Sequence, residues 1–146
     1  MQKKTIMLVE DEELDVISVQ RSLKKLEIPY ELITAFNGAD ALTLLQGGPQ
    51  TAPIESLPDV ILLDLNMPRM NGLEFLKALR SDPRLKHIKV FVMTTSGELS
   101  DRSAAEELNV SGFLVKPMSY GATYSRLDSM EHFVQFHMRN ILLGYE

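Results

Sequence analysis

The chain contains no cysteine and no tryptophan, and its longest uninterrupted apolar runs are only four residues. Without cysteine there is no disulfide framework and no thiolate metal site, which suits a reducing compartment. Runs of four fall far short of the roughly 20 residues that cross a bilayer as a helix. The opening "MQKKTIMLVEDEE" starts basic, but its apolar part stops at once on acids, so it does not read as a signal peptide. A basic excess is missing too. The 15 Lys and Arg against 20 Asp and Glu leave a net charge of -5, where phosphate backbones call for a clustered cationic surface. These absences point away from nucleic acid, membrane and export, and towards the cytoplasm.

What remains is an ordinary globular composition, 45% hydrophobic and 24% charged over 146 residues, enough for one domain with its own core. Ile6 to Val9, Val60 to Leu63 and Val90 to Met93 are runs of branched and apolar residues without polar alternation, followed by the shorter Phe113 to Val115. Such runs read as strands of a parallel sheet buried on both faces. "YELITAF", Tyr30 to Phe36, alternates more and reads as a strand nearer an edge.

Helical patterns lie between them. Val16, Val19, Leu23 and Leu26 form one buried helical face. "GADALTLLQGG" is a short helix stopped by glycines. "NGLEFLKALRSDP" has Asn71 as N-cap and Glu74 three residues later, and "ELSDRSAAEEL" is a weaker helix stopped at Asn109 and Gly112. A last helix starts near Ser119 to Thr123 and runs to about Asn140. The alternation predicts a doubly wound α/β fold, a flavodoxin-like five-stranded parallel sheet of order 2-1-3-4-5 with helices on both faces. One irregular loop is expected at Gly47 to Pro58, where three prolines occur.

The buried strands release their first polar residues at their carboxyl ends: Glu10-Asp11, Asp64, Thr94-Thr95 and Lys116-Pro117. Ligands bind at that edge in open α/β sheets, near the reversal of strand order between the first and third strands. Gathered carboxylates repel one another, and a divalent cation removes the conflict. Oxygen ligands without Cys or His favour Mg²⁺. Lys116 and the Thr94 hydroxyl suit an incoming phosphoryl group, with one carboxylate as the nucleophile that forms an acyl phosphate.

"MLVEDEE", "DVILLDLNMPRMNG", "VFVMTTS" and "GFLVKP" together resemble the four signature segments of the receiver domain of two-component response regulators. The 30 residues from Asp64 to Thr94 and the 22 from Thr94 to Lys116 match that family's spacing. The resemblance implies a single receiver over 1–146, with a core of about 4–138, the irregular loop at 47–58 and a tail at 139–146. It implies Asp64 as phosphoacceptor, Asp11 as direct Mg²⁺ ligand, Glu10 acting mainly through water, and the Asn66 backbone carbonyl as a further ligand. Thr94 matches the switch hydroxyl, Phe113 the switch aromatic and Lys116 the phosphate-contacting lysine, with a cis peptide at Lys116-Pro117. The donor would be a sensor histidine kinase or a histidine phosphotransfer protein, and slow autodephosphorylation would end the signal. Two positions depart from the commoner pattern: Glu10 stands in place of Asp, and Phe113 in place of Tyr. A long loop before the third strand further resembles single-domain receivers that serve phytochrome-type kinases.

Rival readings leave distinct marks. A helix N-cap role for Asp64 conflicts with Pro68 and Gly72, which put the next helix several residues away. A phosphatase of the haloacid dehalogenase type calls for a second carboxylate two residues on, where this chain has Asn66, and would turn over phosphate monoesters steadily. A flavodoxin-like cofactor binder calls for a Ser, Thr and Gly-rich phosphate loop, where this chain has "EDEELD", and would purify yellow. A pseudo-receiver acting only as a binding module would fail to bind Mg²⁺. On the last helix, Leu127, Met130, Val134, Met138 and Ile141 form the stripe expected to face the sheet. Phe136 points away, with Phe133 on its flank. This pair reads either as a homodimer surface on the side of the fourth and fifth helices or as a face covered by the tail "NILLGYE". The histidines, His87, His132 and His137, share no ligand spacing.

Overall fold

In the computed structural model, residues 3–65, 67, 70–94, 99–115 and 133–145 are described. The strands are β1 (Lys4–Val9), β2 (Tyr30–Ala35), β3 (Val60–Asp64), β4 (Lys89–Thr94) and β5 (Gly112–Val115). All pairings are parallel, in the order β2-β1-β3-β4-β5. The helices α1 (Glu13–Lys24), α2 (Gly38–Gln46), α3 (Gly72–Ser81) and α4 (Leu99–Glu107) alternate with them. A π-helical turn at Val134–Met138 runs straight into α5 (Arg139–Leu143). The expected fold class and strand order are those observed.

Period-two alternation splits the apolar runs between two layers. Met7, Val9, Ile61, Leu63, Val90 and Val92 face α2, α3 and α4, where Leu45, Phe75, Leu76, Leu79 and Ala105 close the core. Ile6, Leu8, Val60, Leu62, Phe91 and Met93 face the other way, against Val19 and Leu23 of α1 and against Val134, Met138 and Ile141. Every residue of β3 is buried, so this strand has an apolar layer on both sides. That is the physical reason its sequence shows no polar alternation.

Local chemistry sets the helix ends. Asn71 accepts a hydrogen bond from the Glu74 N–H at 3.0 Å, and the Glu74 carboxylate accepts from the Asn71 N–H at 3.1 Å. This is the reciprocal capping box. Asn37 caps α2 by accepting from the Asp40 N–H at 2.8 Å. After α4 the backbone turns through Asn109 at φ 58°, a conformation that asparagine tolerates better than most residues.

The loop from Gly47 to Pro58, with an isolated bridge between Gly48 and Thr51, is tied down. Arg84 donates to Leu45 O at 2.7 Å and to Ile54 O at 2.8 Å, and the Ile54 N–H donates to Leu44 O at 3.0 Å. Ile54 and Leu57 pack on the core beneath.

The carboxyl-terminal segment corrects the sequence reading twice. The last helix, expected to run to about Asn140, continues to Leu143 and ends at Gly144 in the left-handed conformation (φ 86°). Ile141 and Leu142, within the expected tail, are buried and join the core, while Tyr145 beyond them is exposed. Phe133, expected on an outer surface beside Phe136, is only 2% exposed, and its ring lies 4.7 Å from that of Phe91. The expectation assumed about 100° per residue. The wider π turn alters that angle just after Phe133, and the large apolar ring of Phe91 supplies a buried partner. Phe136 is exposed, at 59%. Val134, Met138 and Ile141 face the sheet as expected, while Leu127 and Met130 lie outside the described residues.

Arg80 binds three segments of backbone together. Its guanidinium donates to Lys86 O, Ile88 O, Leu108 O and Asn109 O at 2.7 to 3.1 Å, joining the end of α3 to the entries of β4 and β5. Burial pulls its pKa below the ordinary guanidinium value, and the side chain remains charged at neutral pH. Arg80→Met is expected to lower stability by about 2–3 kcal/mol, since the carbonyls lose charged donors. Arg80→Lys should recover less than half, because an ammonium has no planar fork. Urea denaturation with an unchanged slope is the check.

Candidate functional site

The site is built from the carboxyl ends of the two central strands, β1 and β3. Strand β1 stops at Val9, and the Glu10 N–H extends the ladder by donating to Ala35 O at 2.9 Å. The chain then turns, with the Glu12 N–H donating to Glu10 Oε2 at 3.0 Å, and α1 begins at Glu13. Asp64 is the last residue of β3, registered against Met93 of β4. Val60, Leu62 and Asp64 project to the same side by strand alternation, so the buried strand aims its carboxylate towards the Glu10-Asp11 turn.

Carboxylate oxygens of Glu10, Asp11 and Asp64, one from each, lie within 4.8 Å of one another. Glu10 and Asp64 are each 1% exposed, and Asp11 is partly buried. Two unit charges at that separation repel by roughly 3 kcal/mol at an effective dielectric constant near 20. Asp11 Oδ1 is buried and accepts no hydrogen bond from any described residue. The same holds for Glu10 Oε1 and Asp64 Oδ2, although both of those side chains have other interactions. A hard divalent cation fits this donor set, since it binds oxygen and offsets the converging negative charge.

Close packing joins the end of β3 to the start of α3. The Gly72 N–H donates to Leu65 O at 3.0 Å, and the Leu65 N–H donates to Met93 O at 3.4 Å. A Cβ on Gly72 would meet Asp64 O and the Leu65 Cα, both at 2.6 Å. These are backbone atoms, so the clash has no flexible side chain to absorb it. Gly72 thus lets the start of α3 approach the residue that carries the candidate nucleophile. Sequence reading used Gly72 only to locate the helix; the site contact was visible only in three dimensions.

Of the predicted site residues, the structure brings Glu10, Asp11 and Asp64 together. Thr94 closes β4 on the neighbouring strand, opposite Val115, but its side chain is not among the described atoms. Asn66 and Lys116, and with it the Lys116-Pro117 peptide, lie outside the described residues. Phe113 is half-buried on the α4 side of β5, paired in register with Val92. One contact there was not anticipated: the Arg102 guanidinium of α4 sits over the Phe113 ring, 4.7 Å from its centroid. Among the described residues, no helix is long and apolar enough to cross a membrane.

Neutralising one carboxylate is expected to relieve the repulsion. In metal-free buffer Asp64→Asn should be more stable than the parent chain by about 1–3 kcal/mol in urea denaturation. Millimolar Mg²⁺ should raise the parent's midpoint and narrow that gap. Asp11→Asn should weaken Mn²⁺ binding, followed by electron paramagnetic resonance, at least tenfold. Gly72→Ala should lower the unfolding midpoint.

Comparison with known proteins agrees with this geometry. The family model of the response regulator receiver domain matches residues 6–128. Response regulator Rcp1 of Synechocystis sp. is 38% identical over 132 residues, covering 89% of this chain and 88% of that protein. The crystal structure of the phosphorylated cyanobacterial phytochrome response regulator RcpA superposes with a TM-score of 0.81 at 32% identity, covering 99% of this chain and 97% of that one. The Mn²⁺-bound form of Rcp1 superposes with a TM-score of 0.74 at 34% identity, covering 91% of this chain and 93% of that one.

Proposed function

This chain belongs to the response regulator receiver family, and we propose that it works as a stand-alone phosphorylation switch with Asp64 as the phosphoacceptor. The observation that carries the reading is the buried cluster of Glu10, Asp11 and Asp64 at the carboxyl ends of β1 and β3. The donor is a sensor histidine kinase or a histidine phosphotransfer protein. Support for a phytochrome-type kinase comes from the likeness to RcpA, which is named as a phytochrome response regulator. The compartment proposed is the cytoplasm, where such donors present their phosphohistidines.

Asp64 sits at the end of a strand packed on both faces, so its carboxylate is positioned before any donor arrives. A carboxylate oxygen attacks the phosphorus of the donor phosphohistidine. The phosphorus–nitrogen bond breaks, and the imidazole nitrogen leaves with the electron pair and takes a proton from solvent. The product is an acyl phosphate on Asp64. Glu10 and Asp11 would hold Mg²⁺ beside Asp64, with the Asn66 carbonyl as a further ligand. When bound, that ion supplies positive charge against the carboxylates and the phosphoryl oxygens. The Lys116 ammonium and the Thr94 hydroxyl contact those oxygens in this reading. Hydrolysis reverses the state: water attacks the phosphorus, the bond to the Asp64 oxygen breaks, and inorganic phosphate leaves.

The switch follows from the same contacts. Once Thr94 is drawn to the phosphoryl group, Phe113 turns inward into the space beside it, and the surface of α4 and β5 changes. Phe136 is the exposed aromatic on the far helix and the candidate centre of a homodimer contact; buried Phe133 takes no part in it.

The test is phosphorylation by acetyl phosphate, followed by phosphate-affinity electrophoresis. The parent chain should be labelled only with Mg²⁺ present, and Asp64→Asn should lose the label. Labelling of that variant at the parental rate would sink the assignment. Transfer from phytochrome-type kinases should exceed transfer from unrelated histidine kinases.

A further inference from the structure

We infer that Arg102 is a positioning residue of the switch: its guanidinium holds the Phe113 ring at its half-buried place on β5 and so opposes the inward turn. The inference rests on the receiver reading, which makes Phe113 the moving aromatic. The geometry behind it is independent of that reading. Arg102 lies on α4, and its guanidinium carbon stands 4.7 Å from the centroid of the Phe113 ring, well inside the range of a cation–π contact. The ring is partly buried against the core layer that includes Val92 and Ala105. The Arg102 side chain is 48% exposed and therefore keeps water on its other faces.

That combination gives the contact a direction. A guanidinium half in water is comfortable over a ring at the surface, and its apolar stem covers part of α4. Were the ring to move into the core, the cation would either follow and lose solvent or stay behind and lose the ring. Desolvation of the charge opposes the first course, and loss of the cation–π attraction opposes the second. Either way the observed ring position is favoured. Glu106, one helical turn on, adds a restraint: its Oε1 lies 3.9 Å from Arg102 Nε and keeps the guanidinium close to α4. An exposed cation–π contact shifts a two-state equilibrium by about two- to fivefold, enough to tune a switch without locking it.

Since the phosphoryl group and the inward ring favour one another, removing the contact should also favour the phosphorylated form, by the reciprocity of linkage. The decisive experiment measures the affinity of Asp64 for beryllofluoride, a phosphoryl mimic, in Mg²⁺ buffer. It uses the parent chain, R102Q, R102K, and each Arg102 change in a Phe113→Leu background. The ring resonances of Phe113 are followed in parallel by nuclear magnetic resonance. R102Q should bind about two- to fivefold tighter, with its free-state ring signals moved towards the bound position. R102K, which keeps a cation, should fall between R102Q and the parent. In the Phe113→Leu background R102Q should change nothing, because the ring it acts through is gone.

Equal or weaker affinity in R102Q, with the parent chain binding normally, overturns the role of Arg102 and leaves the receiver reading standing. The same gain in the Phe113→Leu background also overturns it, by showing that Arg102 acts elsewhere. A parent chain that takes up no beryllofluoride overturns the receiver reading and this inference together.

Discussion

Three carboxylates, from Glu10, Asp11 and Asp64, meet with oxygens within 4.8 Å, and an apolar sheet holds them there against their repulsion. Most of the molecule can be understood from that opposition. Strand β3 has no exposed residue, and β1 is fully buried from Ile6 to Val9, so neither can shift to separate the charges without opening a core layer. Burying one large aliphatic side chain contributes about 1.5–3 kcal/mol, and the two central strands bury eight such residues between Ile6 to Val9 and Val60 to Leu63. The clustered charge is a local cost that this packing offsets. It is also what makes the edge receptive to a cation.

Secondary features serve the same geometry. Gly72 allows α3 to close on the backbone of Asp64, and the capping box of Asn71 and Glu74 starts that helix immediately before. Arg80 fixes the far end of α3 to the loops that enter β4 and β5. Helix α3 is thus held at both ends, one beside the site and one at the opposite edge of the sheet. The positions of β4 and β5, and so of Thr94 and Phe113 along them, follow from that bracing. The Arg102 contact stands on the same side, where α4 meets the half-buried ring of β5.

Much of the architecture was legible in the residue order because parallel, doubly covered strands leave a strong trace. Ile6 to Val9, Val60 to Leu63 and Val90 to Met93 lack polar alternation for the reason that both their faces are covered. The cap at Asn71 and the turn at Asn109 are local effects, and local chemistry is written in neighbouring residues. The carboxyl-terminal helix was read less well. A fixed angular step per residue placed Phe133 on the outer flank, whereas a π turn and the ring of Phe91 draw it into the core. Neither the winding of that turn nor a partner some forty residues away is encoded in the spacing of the helix itself.

Sequence alone determined the fold class, the order of elements and the residue types at the strand ends, since these depend on periodicity, capping and composition. It also determined which acids were candidates, because Glu10 and Asp64 each follow an apolar run directly and Asp11 comes next after Glu10. Tertiary structure decided that the three oxygens converge, since register and strand order, rather than chain distance, bring the ends of β1 and β3 side by side. It decided as well that Gly72 touches the backbone of Asp64 and that Arg102 covers Phe113. Those contacts join separate elements, and only the packing of the layers sets the distance between them.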